Sequence, residues 1–185
     1  MRALILLCAV GLVAAQRGFF QGQNFGRQRR PQFQNSFGGG GGGGGAVDDR
    51  NGRSDYHFSW RHDGGRQYTG QGAAGYCRGL GGGWAAVSIN SPNENAFVQK
   101  VIQGERLEYI WTGGVGGGGG GFRWADGSGV SFADWSHTGG ARRPQPDNRE
   151  GNEFCLAVLN NFYSDGVKWH DVACSHRKPV ICERG

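Results

Sequence analysis

The chain has 185 residues, with 20 Lys and Arg against 15 Asp and Glu, five His, five Cys and 38 Gly. Its formal net charge of +5 is unevenly placed: residues 16–53 carry six Arg against two Asp, a net of +4, whereas residues 54–185 carry thirteen basic and thirteen acidic side chains. A basic excess confined to an N-terminal segment beside a neutral remainder argues against nucleic acid as a partner, and no stretch reaches the ~20 apolar residues of a membrane helix, so membrane insertion is not expected.

Met1-Arg2 precedes an apolar run from Ala3 to Val13 and a small-residue exit, Val13-Ala14-Ala15, before Gln16. This is the layout of a secretory signal over residues 1–15, cleaved after Ala15, and it makes the protein secreted and extracellular. Export also removes Cys8, leaving Cys77, Cys155, Cys174 and Cys182, an even set suited to two disulfides in an oxidising compartment. No C-x2-C pair is present, so zinc knuckles are a poor reading of these cysteines. Residues 16–53 are rich in Gln, Arg, Phe and Gly and include the run Gly38 to Gly45. Such a composition cannot bury enough apolar surface to offset its backbone entropy and reads as a disordered tether. Its arginines with Phe19, Phe20, Phe25, Phe33 and Phe37 suit either an adhesive arm for anionic or matrix surfaces or a plain spacer. Arg27-Gln28-Arg29-Arg30 has the form of a proprotein-processing site, against which Pro31 speaks.

Residues 54–185 carry aromatics, aliphatics and cysteines at the density of one core, and about 130 residues is ample for a single domain. Ala73, Ala74, Cys77 and Leu80 recur at helical spacing and predict a short helix over 69–80, weakened by Gly70, Gly72 and Gly75. A strand is expected over 84–89. Ser91-Pro92-Asn93-Glu94 marks a helix start, with Ser at the N-cap, Pro at the first helical position and Glu closing a capping box. The helix should run to about residue 103 and bury Phe97, Val98, Val101 and Ile102. Further strands are expected over 109–112, 154–159, 167–169 and 179–182. Between them lie a second glycine run, Gly116 to Gly121, and a stretch of little periodicity over 122–153. A loop that long inside a compact domain is usually functional.

Several of these residues, taken together, resemble the C-type lectin-like domain. They are Tyr76-Cys77 on the first helix, Trp111-Thr112-Gly113-Gly114, Phe122-Arg123-Trp124-Ala125-Asp126-Gly127-Ser128, Trp135, Cys155, Trp169-His170-Asp171, Cys174 and Cys182-Glu183. The resemblance covers residues 56–183 and none of the tail. It implies an α+β fold of two helices, two small antiparallel sheets and a long loop, with disulfides Cys77–Cys182 and Cys155–Cys174. The cysteines alone leave three pairings open. Trp84, Trp111, Trp124, Trp135 and Trp169 are read as packing residues rather than stacking platforms, and Arg142 and Arg143, beside the site, as solvated rather than in contact with an anionic sugar.

The resemblance also implies one Ca2+ site on the long loop, with Gln145, Asp147, Glu153, His170 and Asp171 at the matching positions. Calcium takes about six to eight oxygen ligands. Gln145 offers an amide oxygen and Asp147, Glu153 and Asp171 offer carboxylates, but His170 stands where an oxygen donor is expected, and an imidazole is a poor calcium ligand. A surface histidine after a structural tryptophan accounts for it as well as a ligand role does. The order Gln145-Pro146-Asp147 resembles galactose binders, so Gln145, Asp147, Glu153 and Asp171 are the expected contacts for galactose or N-acetylgalactosamine glycans. The aromatic residue that often follows in such binders is replaced by Asn148-Arg149-Glu150. An auxiliary calcium site is not expected, since Gly113, Gly114 and Phe154 occupy its places.

Two functions follow. One is a secreted calcium-dependent lectin in glycan recognition or innate immunity. The other is a calcium-independent module binding an extracellular protein or matrix partner. An enzyme is not expected, because no nucleophile is paired with a base. No N-x-S/T triplet occurs, so N-glycosylation is not expected.

Overall fold

The computed structural model describes residues 46–116 and 121–185. The export signal, Cys8, the Arg and Phe residues of the tail up to residue 45 and the centre of the second glycine run lie outside the described residues. The elements in chain order are β1 (Asp49–Asn51), β2 (Ser54–Phe58), α1 (Ser59–His62), α2 (Gly70–Gly79), β3 (Ala85–Ala86), α3 (Pro92–Gly104), β4 (Tyr109–Gly116), β5 (Phe122–Arg123), β6 (Cys155–Asn160), β7 (Val167–Val172) and β8 (Ile181–Arg184). They form two antiparallel sheets of four strands, ordered β1-β2-β8-β3 and β5-β4-β6-β7. The α+β architecture and both disulfides, Cys77–Cys182 and Cys155–Cys174, are as the resemblance implies.

The two longer helices start where their capping residues predict. Thr69 accepts from Gly72 N at 3.1 Å, and Ser91 Oγ accepts from Glu94 N at 3.2 Å. Glu94 reaches back one residue further than a standard capping box, accepting from Asn90 N at 2.7 Å. Val98 and Ile102 are fully buried, with Phe97 and Val101 packed on the same cluster. Between them, α2 and α3 bury their apolar faces on the two sheets.

Several strand boundaries differ from expectation. The expected strand over 84–89 is kept only at Ala85–Ala86: Val87 still donates to Ile181 O of β8, but its carbonyl leaves that ladder to accept from Gly113 N of β4. Strand β4 runs on to Gly116 through an irregularity between Trp111 and Val115. Gly113 sits in it because a Cβ there would lie 2.5 Å from the Ala86 carbonyl oxygen, which is fixed backbone. Strand β7 runs three residues beyond Trp169 because β6 pairs with it as far as Val172. Strand β8 starts at Ile181 instead of Pro179, as proline cannot donate to a ladder.

The folded part also begins before residue 54. Strand β1 pairs with β2, Asp48 Oδ2 accepts from Phe58 N at 2.7 Å, and the Ala46 carbonyl meets His57 Nδ1 at 2.8 Å. Composition assigned these residues to the tail because Ala46-Val47-Asp48-Asp49 continues a glycine run and holds one aliphatic pair. Their partners lie in β2, where composition cannot register them.

His57 is 2 % exposed, stacks on His62 and engages Tyr76 OH through Nε2 at 2.8 Å. Burial, above all, holds its pKa below the ordinary imidazole value; the neighbouring His62 acts the same way, against the Ala46 carbonyl and Asp48. A depressed folded pKa stabilises the fold fully above the unfolded value, about 6.5, and that stability is lost as pH falls from there through the folded value. The denaturation midpoint should therefore drop between pH 7 and 5, and His57→Gln should flatten that drop. Guanidinium unfolding followed by tryptophan fluorescence at several pH values checks this; an unchanged slope in the variant would remove His57 as its source.

Among the described residues no helix is long and apolar enough to cross a membrane.

Candidate functional site

The long loop is held against the edge strand β7 by main-chain bonds. Trp169 N donates to Asp134 O at 3.0 Å, Ser136 N donates to Trp169 O at 3.0 Å, and Gln145 N donates to Ser136 O at 2.8 Å. Trp169 is fully buried, and Trp124, Phe132 and Trp135 set their rings edge-on to it at 5.7–5.8 Å. Its Nε1 donates to Asn95 Oδ1 at 2.9 Å, while Asn95 and Gln99 of α3 both donate to Asp134 Oδ2 at 2.9 Å and Lys168 pairs with the same carboxylate. The tryptophans are thus packing residues, as expected, and Asp134 ties the loop to α3.

This frame delivers Gln145, Asp147, Glu153 and Asp171 to one place. Asp147, Glu153 and Asp171 each bring a carboxylate oxygen within 4.8 Å of the other two. Asp171 is fixed from both sides: its Oδ1 accepts from Asp147 N at 3.1 Å and its Oδ2 from Asn148 N at 2.7 Å. Asn148, in the left-handed region at φ 44°, accepts from Glu153 N at 3.0 Å through Oδ1, so one turn positions two of the carboxylates. The peptide bond Gln145–Pro146 is cis. Gln145 is 9 % exposed, its Nε2 turned to the Arg143 carbonyl at 3.5 Å, which leaves Oε1 as the acceptor end. Gly139 makes room for it, since a Cβ there would lie 2.5 Å from Gln145 Nε2 and the backbone φ is +90°.

Glu153 is 7 % exposed and its Oε2 is buried with no hydrogen-bond partner. Burial first, and the Asp171 charge second, raise the Glu153 pKa; burial raises that of Asp171 against its two amide donors. Two buried carboxylates and a half-buried third that repel one another, with one Glu153 oxygen left without a partner, could hold a hard divalent cation, and the residues fit calcium in charge and ligand type.

His170 stands beside this cluster and outside it. It borders the same cavity as Asp171 without bringing a ring nitrogen into the carboxylate group. It is 3 % exposed, lies 5.3 Å from the Tyr163 ring, and its Nε2 is unpartnered at 4.0 Å from Asp165 Oδ2. It is therefore buried, in contrast to the expected surface histidine, and burial lowers its pKa. Arg142 and Arg143 are exposed, as expected.

A cavity of about 300 Å3 joins Gln145 and the three carboxylates to a second wall of Tyr109, Tyr163, Arg177 and Lys178. Sequence reasoning missed Asp134, Asn148 and this second wall. Lys178 had a faint signal, a charge set among Pro179, Val180 and Ile181.

A family model described as "Lectin C-type domain" matches residues 66–184. An alpha-N-acetylgalactosamine-specific lectin of Patiria pectinifera is 39% identical over 64 residues, 35% of this chain and 33% of that protein. A lectin of Pleurodeles waltl is 32% identical over 111 residues, 58% of this chain and 59% of that protein. The chain thus spans a third and somewhat over half of the lengths of these curated relatives. Among solved structures, the C-type lectin CEL-I of Cucumaria echinata superposes with a TM-score of 0.59 at 24% identity, over 73% of this chain and 92% of that one, a likeness of fold. The two relatives are named as lectins and not as enzymes, in line with a sequence that pairs no nucleophile with a base. With the model matching more than half of its residues, the chain belongs to the C-type lectin domain family.

Proposed function

We propose that the chain is a secreted, calcium-dependent lectin for galactose-type glycans. The observation that carries this reading is the convergence of Asp147, Glu153 and Asp171 around an unpartnered, buried Glu153 Oε2 in a cavity that also holds Gln145. Gln145 Oε1 and the three carboxylates hold the ion, which, when bound, supplies a hard cationic contact for two adjacent sugar hydroxyls. Gln145 and Asp147 flank Pro146, and Asp147 accepts a hydroxyl proton while the Gln145 amide group donates. The order of these two side chains supports galactose or N-acetylgalactosamine, as does the named specificity of the Patiria pectinifera relative. Residues 1–15 serve export, residues 16–45 tether the domain, and the context is extracellular glycan recognition of the kind used in innate immunity.

A specific observation favours the second reading, a calcium-independent module for a protein or matrix partner. His170 takes the place of an oxygen donor and lies outside the cluster. Calorimetric titration of calcium into the oxidised chain, followed by passage over immobilised galactose with and without chelator, separates the two. Saturable heat with chelator-reversible retention is expected. No heat and no retention would move the function to a calcium-independent interaction. His170→Asn restores an oxygen donor beside the ion and should tighten calcium by about tenfold; an unchanged affinity would place position 170 outside the ligand shell.

A further inference from the structure

We propose that Lys178 forms an anion subsite beside the carboxylate cluster, so that the preferred glycan is a galactoside bearing a sulfate or carboxylate substituent. The inference rests on the galactoside reading of the same cavity and extends it to substrate class. Lys178 is 5 % exposed, and no carboxylate among the described residues lies within 4.0 Å of its amine. The amine rests 4.2 Å from the Tyr109 ring centre and 5.1 Å from that of Trp111. Lysines are almost never this buried unless paired, and an ammonium taken from water is costly to leave without an anion.

The local fold does not ask for the charge. What Lys178 contributes to the fold is main chain: its N–H donates to Tyr68 O at 2.9 Å and its carbonyl accepts from Tyr68 N at 2.8 Å. A methionine would cover the two rings without desolvating an ion, so ring contact alone does not account for a lysine. Burial holds the amine down to about 8, and only the more distant Glu150 works against it. Glu150 is itself engaged with His176 at 3.4 Å on the rim. The cavity therefore has an acidic wall that suits a cation and, in the same lining, a wall formed by the Lys178 amine with Arg149 and Arg177 that suits an anion. At about 300 Å3 it matches the small end of ligand pockets, the size of a sugar unit with one substituent. A glycan whose hydroxyls face the first wall and whose charged group faces the second satisfies both.

The test titrates methyl galactoside, galactose 6-sulfate and galacturonate into the full oxidised chain with calcium present, and into Lys178→Met. One charged sugar should bind the parent about tenfold or more tightly than the neutral one, as a charge-assisted bond predicts, and which one does so identifies the group. In the variant the ratio should fall to near one. Equal binding of all three by the parent, or a ratio retained in Lys178→Met, would overturn the proposal. Sodium sulfate and sodium acetate are then titrated without calcium, at ionic strength fixed with chloride, while tryptophan fluorescence is followed, since Trp111 lies beside the amine. A saturable response lost in Lys178→Met supports the subsite even where no galactoside binds, a result that would count only against the galactoside reading. Absence of any anion response would overturn the subsite by itself.

Discussion

Removing the Cys77–Cys182 disulfide by Cys77→Ala with Cys182→Ala should lower stability by about 4 to 5 kcal/mol, the chain-entropy value for a loop of about 100 residues. The two half-cystines are 105 residues apart, join α2 to β8 and are fully buried, so the free chain gains the entropy of nearly the whole domain. The Cys155–Cys174 bond closes only 19 residues, and its removal should cost about 3 kcal/mol. The functional ranking is the reverse. Cys155 follows Glu153 by two residues and Cys174 follows Asp171 by three, so this second bond holds the ends of β6 and β7 on which the cluster stands. Its loss should weaken calcium binding more than loss of the first does in the population that remains folded. Guanidinium unfolding and calcium calorimetry on the two double variants check both orders; equal destabilisation would show that residual structure in the unfolded chain outweighs loop length.

Asp171→Asn should weaken calcium binding by about two orders of magnitude, since a charged hydrogen-bond acceptor is worth about 1.5 to 3 kcal/mol and the ligand charge is lost as well. The substitution also places an amide NH2 against the N–H of Asp147 or Asn148, which now face the two carboxylate oxygens. The loop then loses its register as well as the ion its ligand. Glu153→Gln separates the two effects. Burial and the Asp171 charge already disfavour the Glu153 carboxylate, so the variant should lose its calcium response while the calcium-free fold becomes no less stable. A group kept for structure would give the opposite, a less stable fold. Calcium binding equal to the parent in both variants would remove this cluster as the site.

Local chemistry made much of this legible. Thr69 and Ser91 with Pro92 and Glu94 mark helix starts because capping is settled within four residues, and α2 and α3 begin there. The strands β4, β6, β7 and β8 were each found within a few residues, because apolar runs bounded by turn residues are a local signal; their ends were not, because a ladder stops where its partner stops. Strand β1 was unreadable for the same reason, three polar residues made into a strand by β2.

By itself the sequence supplied the residues that could carry chemistry: four cysteines for two disulfides and, through the family resemblance, their pairing and Gln145, Asp147, Glu153 and Asp171 as an oxygen-rich set. Only the tertiary structure decided that the three carboxylates converge, that Glu153 Oε2 is left without a partner, and that His170 is buried beside them without joining them. It alone set the buried Lys178 in the lining of the same cavity. The identity of a side chain is written in the chain, whereas its desolvation and its neighbours arise from contacts between segments far apart in sequence.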